Sequence, residues 1–410
     1  MRTRLLAAIS LAALAACTAT PPANEQVSDA APADTALGAD RSAEPAEGRA
    51  GPAATTPPEV LARFAPRPES GARINYDLID EALDLIVFNA GPSLRERQGR
   101  PDPMVGSRIA KGHTSSYRLE GNKVFFSFFD DDVKTILSEY RASLESIGAS
   151  GVVPTLGRNE QLAYWLNLHN MVVLDEIARA YPVRNPRRMR LGEGNDPFHD
   201  AAIIDLGDVQ LSLRDVREIV FTHWSDPIVA YGFFRGDIGS PSVRSQAYTG
   251  AMVGERLERQ AREFVNSLRG VRRGRRTLYV SEIYDELRPH HFPVWPGQLT
   301  AHLLEHADDE VAEEIRTAER VAYARYEERV ADMVGGDVTS DLGFGGSTAP
   351  EGSRAQLEQN GVDRNRGTNP AFQRMVREYE EKIERLQRSG RLQPRIIIID
   401  VPTDDPDEVD

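Results

Sequence analysis

One cysteine in 410 residues leaves no partner for a disulfide within the chain and too few thiolates for a Cys-ligated zinc. No apolar run approaches the roughly 20 residues needed to cross a bilayer. There is no G-x-S-x-G and no H-E-x-x-H, so two familiar hydrolase signatures are missing. Basic residues are the minority, 49 Lys and Arg against 63 Asp and Glu, giving a net charge of −14 and a pI near 5.2. The positive footprint that nucleic acid requires is therefore absent, and no nucleic-acid partner is expected. No internal repeat is visible.

What is present begins at the N-terminus. Arg2 and Arg4 precede an apolar run, Leu5–Leu14, and the small residues Ala15-Ala16 lead into Cys17. This order is the logic of a secretory signal. The ending Leu14-Ala15-Ala16-Cys17 resembles the lipobox of bacterial lipoproteins, which implies cleavage before Cys17 and a lipid thioether on it. The expected partner is then membrane lipid, held through Cys17. Thr18 follows where an Asp would favour retention at the inner membrane, so the expected address is the outer membrane, facing the periplasm. A lipidated Cys17 also removes the only thiol from cysteine-nucleophile or redox chemistry.

Residues 1–16 are accordingly read as signal peptide and 17–70 as anchor plus tether. That tether is rich in Ala, Pro, Thr and Glu, with too little apolar surface to offset ordering entropy. Residues 71–333 carry globular patterning, 334–369 a Gly-rich linker, 370–400 a helix and the strand Ile396–Ile399, and 401–410 an acidic tail. Helical spacing runs from Ile74 to Ile86, and again through Val253, Leu257, Ala261 and Phe264. Gly207-Asp208 sits between Ala202–Leu206 and Val209–Leu211 as a hairpin signal, with a short helix from Leu213 to Phe221. Val124–Phe129 reads as a short apolar strand or the entrance to a helix, Pro227–Phe234 and Thr277–Val280 as strands or strand-like runs, Glu282–Leu287 as helical, and Leu303–Met333 as one long charged helix. The basic run Arg269–Arg276 is a solvated turn or a contact for anionic lipid or glycan. The fold class is α+β: one main domain with a buried central helix against a small, mostly antiparallel sheet, and a C-terminal helix–strand extension.

The central helix, Arg158–Ala180, is apolar almost all round yet carries Trp165, Asn167, His169 and Asn170. Asn167 and Asn170 are three apart and share a face. Buried amides need partners, so these residues belong either to a hydrogen-bond network or to the floor of a cleft.

Trp165, Asn167 and Asn170 fit the pattern F-W-x-N-x-Y-N, with His169 in the place of its Tyr. This resembles the bacterial and plant family called domain of unknown function 547. The likeness continues through Leu211-Ser212-Leu213-Arg214-Asp215-Val216, then Val280-Ser281-Glu282-Ile283-Tyr284 and Phe292, spanning about residues 74–333. It implies a distant relation to papain-like or transglutaminase-like folds. The chain departs from the family at the segment close to H-F-A-L-x-C-G-A-x-S-C-P-P. There Ala230 replaces the His, Arg235 the first Cys and Ser240 the second, while Gly236 and Pro241 are kept. The family's closing Tyr-Asp-Trp-like motif has no clear counterpart near Tyr326.

Three functions follow as expectations. The first is a non-catalytic envelope module that binds a peptide, glycan or protein through a cleft built from Trp165, Asn167, Asn170 and Arg235. The second is a hydrolase or acyl transferase acting on envelope peptide or ester substrates, with Ser240 as nucleophile and His169, His290 or His291 as base. Against it stands Ser240 as a turn residue bonded to its own backbone. The third is a metal site at His290-His291 or Asp196–Asp200, but adjacent histidines in a strand-like segment point opposite ways. No metal and no cofactor are expected.

Overall fold

The computed structural model describes residues 56–66, 71–99, 113–333 and 335–336, with 378, 381–382 and 399–400. Its helices are α1 (Pro58–Arg63), α2 (Asp77–Ile86), α3 (Asp131–Ala149), α4 (Arg158–Ala180), α5 (Leu213–His223), α6 (Val253–Val265), α7 (Ile283–His291), α8 (Gly297–His306) and α9 (Asp309–Arg316). The strands are short: β1 (Arg73–Ile74), β2 (Val87–Phe88), β3 (Lys123–Val124), β4 (Arg190–Leu191), β5 (Asp196–Pro197), β6 (Ile204–Asp205), β7 (Gln210–Leu211), β8 (Val271–Arg273), β9 (Thr277–Val280), β10 (Arg320–Tyr323) and β11 (Ile399–Asp400). The fold is α+β, as the sequence pattern indicates.

The central helix occupies the expected span, Arg158–Ala180, and is buried from Glu160 through His169 and beyond. It packs among α3, α5 and α6 rather than lying on a sheet, which corrects the expected layering. The physical reason is strand length. Among the described residues, four of the five sheets are two-residue antiparallel pairs, too small to cover a 23-residue helix. The fifth is three-stranded, with β9 antiparallel to β8 and parallel to β10.

Two further expectations change, and the open reading of Val124–Phe129 resolves into both forms. Pro227–Phe234 is not a strand; Pro227–Gly232 forms a 3₁₀ helix whose start is capped by the Asp226 carboxylate accepting from Ile228 N. A short apolar run buried all round carries no period that separates the two forms. Lys123–Val124 is a strand, but Phe126–Phe128 turns into another 3₁₀ helix. The single helix expected over Leu303–Met333 is divided. Helix α8 ends at His306, the Asp308 side chain caps α9, and Arg320–Tyr323 is drawn into the sheet beside β9. The basic run also divides: Arg269 is buried and donates to Ser240 O at 2.8 Å, whereas Arg276 is exposed and pairs with Glu319.

The folded part starts earlier than residue 71. Phe64 is fully buried and meets Trp165 edge-on, ring centroids 4.9 Å apart. Gln161 Nε2 donates to Phe64 O at 2.8 Å. The C-terminal region also touches the domain. Glu378 accepts from Asn89 N, Lys382 Nζ donates to Val87 O, and β11 pairs antiparallel with β1. Cys17, the rest of the expected tether, most of the Gly-rich linker and most of the stripe Phe372–Leu386 lie outside the described residues. No helix among the described residues is long and apolar enough to cross a membrane.

If residues 56–66 are integral, Phe64→Ala should lower unfolding stability by about 3–5 kcal/mol, as large-to-small core changes do. Urea denaturation measures this; an unchanged midpoint would return the segment to the tether.

Candidate functional site

Helix α4 presents its polar side chains to backbone groups from four separate places in the chain. Glu160 accepts from Ile74 N at 3.0 Å and Gly250 N at 2.9 Å. Asn167 exchanges two bonds with Tyr248, accepting from its N and donating to its O, both at 2.8 Å. Asn170 does the same across one turn: Nδ2 donates to Gly232 O at 2.9 Å and Oδ1 accepts from Phe234 N at 3.0 Å. Each asparagine thus completes a backbone segment as a neighbouring strand would. The space beside them, lined by Ile79, Leu83, Met171 and Tyr248 among others, amounts to ≈ 10 Å³, about the room one water needs. Trp165 is fully buried against Phe64 and Tyr164.

His169 faces α5. Arg217 Nη1 donates to His169 Nε2 at 3.0 Å, so the ring proton sits on Nδ1 and points to Asn170 Oδ1 at 3.2 Å. Arg217 also reaches Leu213 O at 3.1 Å and His199 Nδ1 at 3.4 Å, and His199 Nε2 then donates to Arg235 O at 3.2 Å. Burial, with Arg217 beside them, holds both imidazoles neutral, far below the usual histidine range. The lone pair of His169 that a base would use is already occupied by a guanidinium N–H. Ser212 starts α5 with a reciprocal capping box to Asp215, which is the structural content of the Leu211-Ser212-Leu213 motif.

Arg235 follows Phe234, whose amide Asn170 holds. Its Nη2 lies 2.6 Å from Glu286 Oε2, and Arg217 Nε donates to Glu286 Oε1 at 2.8 Å. One carboxylate on α7 therefore joins two guanidiniums. Burial pushes Glu286 up, but Arg217 and Arg235 act more strongly and hold it well below the usual carboxylate range. Burial pulls Arg217 down to about 10, against the pull of Glu286, and it stays charged at neutral pH.

Ser240 lies in the turn that follows. It is fully buried; its hydroxyl donates to Asp237 O at 2.8 Å and accepts from Arg235 N at 3.1 Å. Gly236 makes the turn possible. Its φ is +90°, and a Cβ there would run into the Ile177 side chain. Asp237 accepts from Tyr326 Oη at 2.7 Å and from Arg187 Nε at 3.2 Å, and Arg187 lies over the Tyr326 ring. Tyr326 and Arg187 are thus both tied to the turn that carries Ser240.

The structure brings His169, Asn170, Arg235 and Ser240 into one connected network, and Asn167 beside it. It does not bring Ser240 to an imidazole among the described residues. His291 lies elsewhere, on α7, with Nδ1 3.2 Å from Ser225 O, while His290 pairs with Glu218 at 3.2 Å. Asp196 and Pro197 form β5, and His199 is taken up by Arg217 and Arg235. The network members that the sequence reading missed are Arg217, His199, Glu286 and Asp237. Arg217 lies just past the capping motif and Glu286 in the helix after Val280-Ser281, but only their pairing across the chain marks them. Also missed was the spacing His302, Glu305, His306, whose ligand atoms lie within 4.8 Å of one another.

Residues 153–265 match the model of a family described as protein of unknown function, DUF547. The matched stretch takes in Trp165, Asn167, Asn170, the Ser212 cap and the Arg235–Pro241 turn. No curated protein and no solved structure matches the chain.

Replacing Glu286 by Gln keeps the shape but removes the charge that two guanidiniums share. At neutral pH the loss should be about 3 kcal/mol, the scale for stranding a buried partner. Because the folded carboxyl titrates below its unfolded value, its contribution is present above about pH 4 and is lost as pH falls further. Urea midpoints of wild type and Glu286→Gln should converge only in that acid range. A gap that persists unchanged at low pH would mean the charge is not what stabilises.

Proposed function

We propose that this chain is a lipid-anchored protein of the cell envelope whose folded domain binds a partner rather than turning one over. The anchor would be Cys17, with the outer membrane, facing the periplasm, as its address. The partner class is an envelope peptide, glycan or protein.

The observation that carries this reading is Arg235. Where the family has a cysteine, this chain places a guanidinium locked to Glu286 at 2.6 Å. Four further features point the same way. The Ser240 hydroxyl is committed to Asp237 O and Arg235 N. His169 accepts from Arg217 and has no lone pair left for a base. Asn167 and Asn170 spend their amides on backbone. The space beside them is water-sized. A serine mechanism would need the turn to open, the hydroxyl to leave both partners and an imidazole to arrive, each at a cost in buried hydrogen bonds.

What the domain does offer outward is charge of both signs. Arg187 and Arg214 are part-exposed and pair with Glu282 at 3.8 Å and Asp200 at 2.5 Å. Such a surface suits a polar, hydrogen-bonding ligand and gives specificity more than raw affinity.

Two measurements on the full chain test the proposal. A fluorophosphonate probe should leave Ser240 unlabelled by mass spectrometry, and Cys17→Ser should move the protein from the membrane to the soluble fraction. Hydrolysis of any peptide or ester that disappears in Ser240→Ala would overturn the binding role. Membrane retention of Cys17→Ser would overturn the anchor.

A further inference from the structure

Helix α8 carries the sequence His302-Leu303-Leu304-Glu305-His306. Residues three and four apart on a helix are neighbours, so the three polar side chains gather at the helix end. Their ligand atoms lie within 4.8 Å of one another. Two of the three are buried, His302 at 6% exposure and His306 at 7%. Buried imidazoles normally find partners on both nitrogens or none that matter. Here the satisfaction is incomplete. His306 Nδ1 makes no hydrogen bond, although Glu258 Oε1 of α6 stands 3.4 Å away.

The surroundings hold these groups in place. Tyr231 Oη is 2.9 Å from His302 Nε2, and the two rings stack with 13° between their planes. Tyr231 is itself 3.2 Å from the Tyr284 hydroxyl. Arg262 lies 2.7 Å from Glu258 Oε1 and so orients that carboxylate. Asn266 Nδ2 donates to His306 O at 2.9 Å and fixes the end of α8. Outer partners of this kind are what position histidine and carboxylate ligands around an ion.

We propose that His302, Glu305 and His306, with Glu258 from α6, form a binding site for one divalent transition-metal ion, zinc being the best match, which ties α8 to α6. The donor set is the argument. Imidazole nitrogen and carboxylate oxygen suit zinc and its neighbours, whereas calcium and magnesium favour oxygen alone. Ligands about 2.1 Å from a tetrahedral zinc sit about 3.4 Å apart, so His302, Glu305 and His306 have to close by little more than about an ångström. Side-chain torsions supply that. Glu305 is exposed and gives the ion a way in. This site is independent of the Arg235 network and of the binding role proposed above.

The test uses the full chain and zinc chloride alone. Equilibrium dialysis against micromolar zinc, followed by elemental analysis, should find one zinc per chain, and the thermal midpoint should rise with zinc. His306→Gln should weaken uptake at least tenfold and abolish the thermal shift. Glu305→Gln, at an exposed position that leaves the core alone, should weaken uptake without changing the metal-free midpoint. It keeps the test decisive if His306→Gln folds poorly. Zinc well below one equivalent on the wild type would overturn the proposal. So would stoichiometric zinc retained by both variants, which would put the ion at other histidines.

Discussion

The fold depends on hydrogen bonds that run from the side chains of one buried helix to backbone far away in the sequence. Glu160, Gln161, Asn167 and Asn170 reach Ile74, Gly250, Phe64, Tyr248, Gly232 and Phe234. The segments they hold include loops and 3₁₀ turns that cannot satisfy their own donors and acceptors by a ladder. In a protein whose sheets are mostly two residues long, the helix does the work that a sheet does elsewhere. Each bond is worth only about 1 kcal/mol net, but losing one strands a buried partner at about 1–3 kcal/mol. The constraint is therefore sharper than the gain.

That arrangement also explains the site. Asn170 fixes Gly232 and Phe234, the chain turns at Gly236, and Arg235 between them reaches α7. There the guanidinium meets Glu286, which also serves Arg217, which in turn fixes the tautomers of His169 and His199. The result is a linked set of charges in which the ring nitrogens of His169 and His199 all have partners.

Much of this was legible and some was not. Helix α4 showed its bounds because a long apolar run with buried amides has few alternatives, and the Asn167–Asn170 spacing announced a shared face. What the sequence could not show was their partners, since Gly232 and Tyr248 offer only backbone, which leaves no mark in a side-chain pattern. Pro227–Gly232 was misread because an apolar run buried on every side has no period. Leu303–Met333 was misread because charge on a helix-like stretch hides a break that Asp308 makes by capping. Ser240 was visible both as a hydroxyl on a turn and as a turn residue. Only its bonds to Asp237 O and Arg235 N decide how it is used. Residues 56–66 hid because a single aromatic, Phe64, does the packing in an otherwise polar and small-residue stretch.

Native-state amide hydrogen exchange at Phe234 and Tyr248 tests the central claim most directly. If the α4 asparagines are staples, both amides should exchange only through global unfolding, with the same free energy as the core amides of α4. Exchange through a local opening of far lower free energy would contradict the account. It would mean that Asn167 and Asn170 line a cleft that opens, with their side chains free to meet a ligand.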